Sequence, residues 1–332
     1  MVRRLILILL LIAVSPAARA DNPFGLALWP GPGQDLSLMT ARAGALDVVW
    51  FRPPTLYVDR FRPDANCAGC KALGKSGLAV ALVVRNTGRD AKPSRPSGPP
   101  DDFDAYGKVV GAMLDQWRPA LLVVEEEENR LYRFAGTPVD YRQELETACK
   151  TAHQRKIACA NGGLSYEAVT GVTWYQLLKD GKADLACDYA KRAFYERLGS
   201  VCSFRRAEEV PPDLRERLLQ GADQLLPIYK AAALLTYVNF RWNGRDAAAL
   251  AQTIEAIGRL AGKPVITTDL SLRRGDNDPG HVRPLMRAAM AGNMKVAIWT
   301  SADTEDSTAL FDEQGRLRPA GQEFAHQMSG RK

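Results

Sequence analysis

Residues 120–129 read A-L-L-V-V-E-E-E-E-N. Five apolar residues, β-branched at their end, predict a strand buried on both faces, which confines the chain to folds whose sheet is covered on either side. Such a strand does not ordinarily end in four consecutive carboxylates, Glu125, Glu126, Glu127 and Glu128. Crowded like charges raise one another's proton affinity. A neutral acid beside an ionised one is what general acid/base chemistry needs. The plainer alternative is that some of the four are solvated where strand turns to loop.

The first twenty residues predict a processed export signal. Arg3 and Arg4 form a basic start, residues 5–14 are an apolar run, and Ala18-Arg19-Ala20 fits a small-x-small cleavage site before Asp21. Ten apolar residues are too few to span a bilayer, no Cys follows the site for lipid attachment, and no later run reads as a membrane helix. The expected location is periplasmic or secreted, without stable membrane insertion. The precursor carries 44 basic and 38 acidic residues, and loss of three arginines with the signal leaves 41 against 38. That near balance, with no basic run interleaved with aromatics, gives no support for a nucleic-acid partner.

Six cysteines in an exported chain read as bridges, and they fall as the neighbours Cys67/Cys70, Cys149/Cys159 and Cys187/Cys202. Local pairing is the simplest of the fifteen connectivities. Cys67-Ala-Gly-Cys70 also has the form of half a zinc site or a redox motif, but with three histidines and no second C-x-x-C no metal is expected.

Strand-like and helix-like blocks alternate along the rest. Strands are expected at 24–29, 47–51, 77–86, 120–124, 156–165, 235–242, 263–269 and 294–301. Helices are expected at 35–46, 101–116, from Thr137-Pro138 onward, 246–260, 282–291 and from Pro319. Residues 87–100, rich in Pro, Gly and Ser, form a loop. The stretch 166–233, interrupted at 199–212, is longer than one crossover helix requires and predicts an extra helical insertion after strand five. Eight strand–helix units with continuously apolar strands predict an α/β chain folded as a single (β/α)8 TIM barrel over residues 21–332. A doubly wound open sheet is the alternative, but no G-x-G-x-x-G follows the first strand.

A barrel places its chemistry at the C-terminal ends of its strands. Those ends carry Trp29, Arg52, Arg85 with Asn86, the four glutamates with Asn129, Asn161 with Ser165, Asn239 with Arg241 and Trp242, Asp269, and Trp299 with Asp303. Acids can protonate a leaving oxygen or attack a sugar carbon, amides and arginines can bind hydroxyls, and indoles can stack on sugar rings. No Ser-His-Asp set is apparent, and nothing supports a nicotinamide or phosphate cofactor.

This order of residues resembles the clan of retaining glycoside hydrolases with a (β/α)8 barrel that includes families 5 and 39. In that clan strand four ends in Asn-Glu, the Glu being the acid/base, and strand seven ends in a nucleophilic Glu. Arg on strand two, His or Tyr on strand six and Trp on strand eight surround them. The corresponding stretches here are V-V-E-E-E-E-N, Y-V-N-F-R-W, P-V-I-T-T-D and A-I-W-T-S-A-D, with G-T-P-V-D-Y at a helix start and A-N-G-G in strand five. The resemblance implies Glu127 as acid/base and Asp269 as nucleophile. It places Arg52, Asn86, Glu126, Asn129, Asn239, Arg241, Trp242 and Trp299 against a polysaccharide or oligosaccharide. Three departures stand out: Glu126 where the clan has Asn, Asp269 where it has Glu, and Arg241 where it has His. Which glutamate faces the axis depends on strand register and on any bulge.

Three functions are open at this level: a hydrolase of β-linked glycans, a carbohydrate-binding barrel without turnover serving polysaccharide assembly, and a structural barrel whose polar ring closes into internal ion pairs. Cleavage of the signal predicts that the exported protein begins at Asp21. Intact mass and N-terminal sequencing of the secreted form check this, and a protein retaining Met1 would refute it.

Overall fold

The computed structural model describes residues 22–27, 36–87, 96–194, 201–273, 275–300, 309–312 and 314–330. The expected signal, Trp29 and Asp303 lie outside them. Eight parallel strands form the barrel: β1 (Phe24–Ala27), β2 (Trp50–Arg52), β3 (Ala79–Arg85), β4 (Leu121–Val124), β5 (Ala158–Asn161), β6 (Val238–Asn243), β7 (Val265–Ser271) and β8 (Ala297–Thr300). Pairing runs β5-β4-β3-β2-β1-β8-β7-β6. Two isolated bridges, Ala160 with Tyr237 and Leu164 with Phe240, close the ring between β5 and β6. A two-residue strand, Leu56–Tyr57, pairs with the end of β3.

The helices follow as expected of α/β alternation: α1 (Leu36–Ala45), α2 (Ala68–Ser76), α3 (Phe103–Trp117), α4 (Pro138–His153), α5 (Tyr166–Lys179), α6 (Ala183–Ala193), α7 (Pro212–Leu219), α8 (Ala222–Ala231), α9 (Ala247–Ala261), α10 (Pro279–Ala291) and α11 (Pro319–Ser329). Local chemistry starts them. Thr137 and Asp140 make a reciprocal capping box ahead of Pro138, and Asp246 accepts from the Ala249 amide. The insertion after strand five is present as α5 to α8, separated by the segment that follows α6. The strand expected at 47–51 begins only at Trp50, because Asp47 takes a left-handed conformation (φ 53°) as the chain leaves α1. The strand expected at 156–165 is hydrogen-bonded as a strand only over Ala158–Asn161.

Strand alternation sorts the core into two. Ala81, Val83, Leu121, Val123, Ala160, Ile266 and Ile298 fill the lower barrel interior, while alternate residues such as Leu82, Leu122 and Val124 pack outward against the helices. All six cysteines are bridged in the local pairs Cys67–Cys70, Cys149–Cys159 and Cys187–Cys202. Among the described residues no helix is long and apolar enough to cross a membrane.

The helices of the insertion pack closely on one another. A Cβ built on Gly171 of α5 would lie 2.1 Å from the backbone oxygen of Leu218 in α7. Gly171→Ala is therefore expected to destabilise the protein by about 1–3 kcal/mol, read from urea denaturation. An unchanged midpoint would mean that α7 is not held against α5.

Candidate functional site

The polar end of β4 is shaped by its backbone. The Glu125 amide continues the ladder to the Val84 carbonyl at 2.8 Å, and then Glu125 and Glu127 both adopt left-handed conformations (φ 72° and 47°). Each such non-glycine residue costs on the order of 1–3 kcal/mol, a cost offset by side-chain partners. The resulting zigzag sends four adjacent carboxylates into four different environments, all of them at most 9% exposed.

Glu125 turns beneath the site. It accepts from the Asn86 amide (3.2 Å) and the Ser97 hydroxyl (2.6 Å), with Arg85 Nε at 3.7 Å. Asn86 Nδ2 donates to Glu144 Oε1 of α4 (3.3 Å) and to the Gly98 carbonyl (3.1 Å). Burial pushes both Glu125 and Glu144 up, and the neighbouring charge of Glu126 adds to it in Glu125 as that of Glu125 does in Glu144, so the pair holds a proton near neutrality.

Glu126 faces the axis. Arg52 and the Thr55 hydroxyl (2.9 Å) donate to its Oε1, and Arg85 Nη1 stands 3.5 Å from Oε2. Burial alone would raise this carboxyl, but Arg52, Arg241 and Arg85 outweigh it and hold Glu126 below its ordinary value. It is an anion at all physiological pH.

Glu127 and Asp269 converge on one guanidinium. Arg241 Nη1 lies 3.4 Å from Glu127 Oε2, and Arg241 Nη2 donates to Asp269 Oδ2. Arg133 Nε also reaches Glu127 Oε2 (3.0 Å), and Arg130 Nε lies 3.8 Å from Oε1. Thr300 donates to Asp269 Oδ1, and Arg52 Nη1 lies 3.9 Å from Oδ2. Asp269 is not the last residue of its strand. Asn239 to Arg241 of β6 oppose Ile266 to Asp269 of β7, two steps against three, and β8 shows the same excess between Thr267 and Leu270. This bulge puts Asp269 on the inner face two residues before the strand ends.

Glu128 leaves the axis. Asn161 Nδ2 (2.7 Å) and the Tyr229 hydroxyl of α8 donate to its Oε1, while Oε2 is buried with no hydrogen-bond partner among the described residues. Burial pushes Glu128 up to about 7 despite those two hydrogen bonds.

Glu127, Asp269, Arg52, Glu126 and Arg241 are thus brought into one charged cluster. Other expected site residues are not. Asn86 serves the buried Glu125–Glu144 pair. Asn129 is spent on Ser165 and the Gln220 carbonyl. Asn239 bonds Asn161 and Thr268 within the barrel wall. Trp242 and Trp299 face the helices, because both fall on the outward set of their strands. Trp299 packs on Phe324 (5.6 Å between centroids) and Trp242 on Tyr166 (5.1 Å), so neither offers a face to a ligand. Arg130, Arg133, Glu144, Tyr229 and Thr300 were not anticipated. The two arginines follow the glutamates directly in E-N-R-L-Y-R, and Glu144 sits in the buried stripe of α4 with Tyr141, Leu145 and Ala148, so both signals lay in the sequence. No group of three or more His, Cys, Asp or Glu among the described residues is arranged to hold a metal ion.

The fold is a (β/α)8 barrel, and its acid-lined face lies at the C-terminal ends of the strands. No family model matches the sequence, and no curated protein matches it. Solved structures do. An endo-β-1,3-glucanase of GH128 subgroup II from Sorangium cellulosum superposes with TM-score 0.52 at 14% identity, covering 91% of this chain and 97% of that one. A family 39 glycoside hydrolase from Bacteroides cellulosilyticus gives 0.58 at 12%, over 94% of this chain and 64% of that one. An endo-β-1,4-mannanase from Thermotoga petrophila gives 0.54 at 11%, over 94% and 77%. At such identities the likeness establishes the fold.

Glu128 sets a pH dependence. Its proton is held to about pH 7 in the folded chain and only to about 4.3 in the unfolded one. Below the unfolded value both states are protonated and stability is complete. As pH rises towards 7 the unfolded chain ionises first and stability falls, by on the order of 3 kcal/mol from this group. Thermal melts are expected to give a lower Tm at pH 8 than at pH 5, and a smaller drop in Glu128→Gln. An undiminished drop in the variant would remove Glu128 as its source.

Proposed function

We propose that the protein is an exported glycoside hydrolase cleaving a β-linked poly- or oligosaccharide at the C-terminal face of the barrel. The observation that carries this is the convergence of Glu127 and Asp269, from the ends of β4 and β7, on the single guanidinium of Arg241. Retaining enzymes hold their two carboxyls about 5–5.5 Å apart and inverting ones about 6.5–9.5 Å, and the retaining course is the one proposed here. Glu127 donates a proton to the glycosidic oxygen while Asp269 attacks the anomeric carbon, forming a glycosyl ester as the leaving sugar departs. Glu127 then takes a proton from the water that hydrolyses the ester. Arg52 and the ionised Glu126 hold the surrounding charge, and substrate entry requires Arg241 to move from between the two carboxyls. The N-terminal twenty residues and the three disulfides support a periplasmic or secreted location.

One observation favours a second reading, a carbohydrate-binding barrel without turnover that serves polysaccharide assembly. Arg241 occupies the gap where an anomeric carbon must sit, and both Glu127 oxygens lie against arginines.

The test is incubation of the wild type, Glu127→Gln and Asp269→Asn with β-1,3-glucan, β-1,4-mannan and xylan, following reducing ends and binding together. The hydrolase reading expects release by the wild type, reduced about 10²–10⁴-fold in Glu127→Gln and at least as far in Asp269→Asn. Binding by the wild type and Asp269→Asn alike, with no release from either, would overturn it in favour of the second reading.

A further inference from the structure

The run of glutamates divides between the charged cluster on the axis and a cleft beside it. Glu127 faces the axis, whereas Glu128 is in the wall of a separate cleft of about 680 Å3 between the loop leading into α4 and the junction of α7 with α8. That volume falls within the range of small-ligand sites, about 300–1,000 Å3. The junction is a sharp turn made by two consecutive left-handed residues, Gln220 and Gly221 (φ 46° and 77°). It presents the Gln220 carbonyl to Asn129, whose side chain also clasps Ser165, so the two walls are tied together at the base and the cleft is preformed.

Its chemistry is mixed. In its wall is Glu128, about nineteen-twentieths buried, with one carboxyl oxygen partnered by Tyr229 and Asn161 and the other without a partner. The unpartnered oxygen is enclosed against Gly162, so Glu128 forms the polar floor of the cleft while the groups above it are the ones open to a ligand. Above it stand Arg130, Arg215, Glu216 and Gln224. At the rim Leu131 and Tyr132 are 81% and 57% exposed, and Arg130 and Arg133 lie at 5.3 and 5.7 Å from the Tyr132 ring, which fixes it. Arg130 joins the two, since it lines this cleft and reaches Glu127 of the charged cluster.

We propose that this off-axis cleft binds one or more neutral sugar rings of the same glycan whose neighbouring units occupy the axial site. Gln224, Glu216 and Arg215 take hydroxyls, and Tyr132 and Leu131 cover the C–H face. The inference rests on the carbohydrate reading above but not on turnover. It makes the helical insertion, rather than the barrel, the element that sets how long a glycan must be to bind well.

The test uses Gln224→Trp, which fills the cleft from an exposed helical position, and Tyr132→Ala, which removes the rim ring. Both are made in the full exported chain carrying Asp269→Asn, so that no cleavage intervenes. Laminarihexaose, mannohexaose and xylohexaose are titrated by calorimetry beside the matching disaccharides, with thermal melts as the folding control. At least one hexasaccharide is expected to bind, to lose tenfold or more in affinity in Gln224→Trp, and to weaken in Tyr132→Ala, with the affinity of the disaccharide unchanged. Hexasaccharide affinity unaltered by both variants, or no hexasaccharide binding at all, overturns the proposal. Cleavage by the wild type with the same products and KM after Gln224→Trp would sink the cleft while sparing the hydrolase. A cleft-dependent affinity without any cleavage would do the reverse.

Discussion

Everything at the top of this barrel depends on neutralising carboxylates taken out of water. An ionised carboxyl moved into a low-dielectric interior without compensation costs several kcal/mol, and here Glu125 to Glu128 and Asp269 are all buried within a few residues' reach of one another. Two solutions are used side by side. Where an arginine is available the acid stays charged, as Glu126 does between Arg52 and Arg85. Where burial outweighs its partners the acid keeps its proton, as Glu128 does and as the Glu125–Glu144 pair does between them. The left-handed residues at 125 and 127 are what allow neighbours in sequence to take different solutions.

The same arrangement bears on the alternatives raised by the sequence. A purely structural barrel was expected to close its polar ring into internal ion pairs, and much of that ring is so closed: Arg241 is shared by Glu127 and Asp269, and Arg52 by Glu126 and Asp269. The unpaired oxygen of Glu128 beside a mixed polar and apolar cleft is not part of such closure.

The barrel was legible because each level of the sequence agreed on it: apolar strands of the right length, capped helices between them, and polarity changing always at the same strand end. The inner face of the site was legible only in part. Alternation from Leu121 and Val123 aims Glu125 inward, whereas the left-handed conformations at 125 and 127 break that alternation and put Glu126 on the axis, and no residue type in P-V-I-T-T-D announces the extra residue that turns Asp269 inward. Trp242 and Trp299 were misplaced for the opposite reason. A large aromatic at a strand end invites a ligand-stacking role, yet regular alternation through Phe240 and Ile298 assigns both indoles to the helical layer. Asn239 was misplaced because an amide in a barrel wall serves backbone groups as readily as hydroxyls.

The hydrogen-bonded path that begins at β5 and ends at β6 gives the barrel the mechanics of a hoop with one light fastening. Every other pair of neighbours is joined by a backbone ladder, while these two meet at isolated bridges reinforced by Asn161 and Asn239, each donating to or accepting from the other's strand. No disulfide crosses that joint, and the four-helix insertion emerges from it. The amides at this joint therefore act as a buckle, and the joint is where the ring has the least to lose by loosening, directly beside the strand ends that carry Glu128's partner and Arg241.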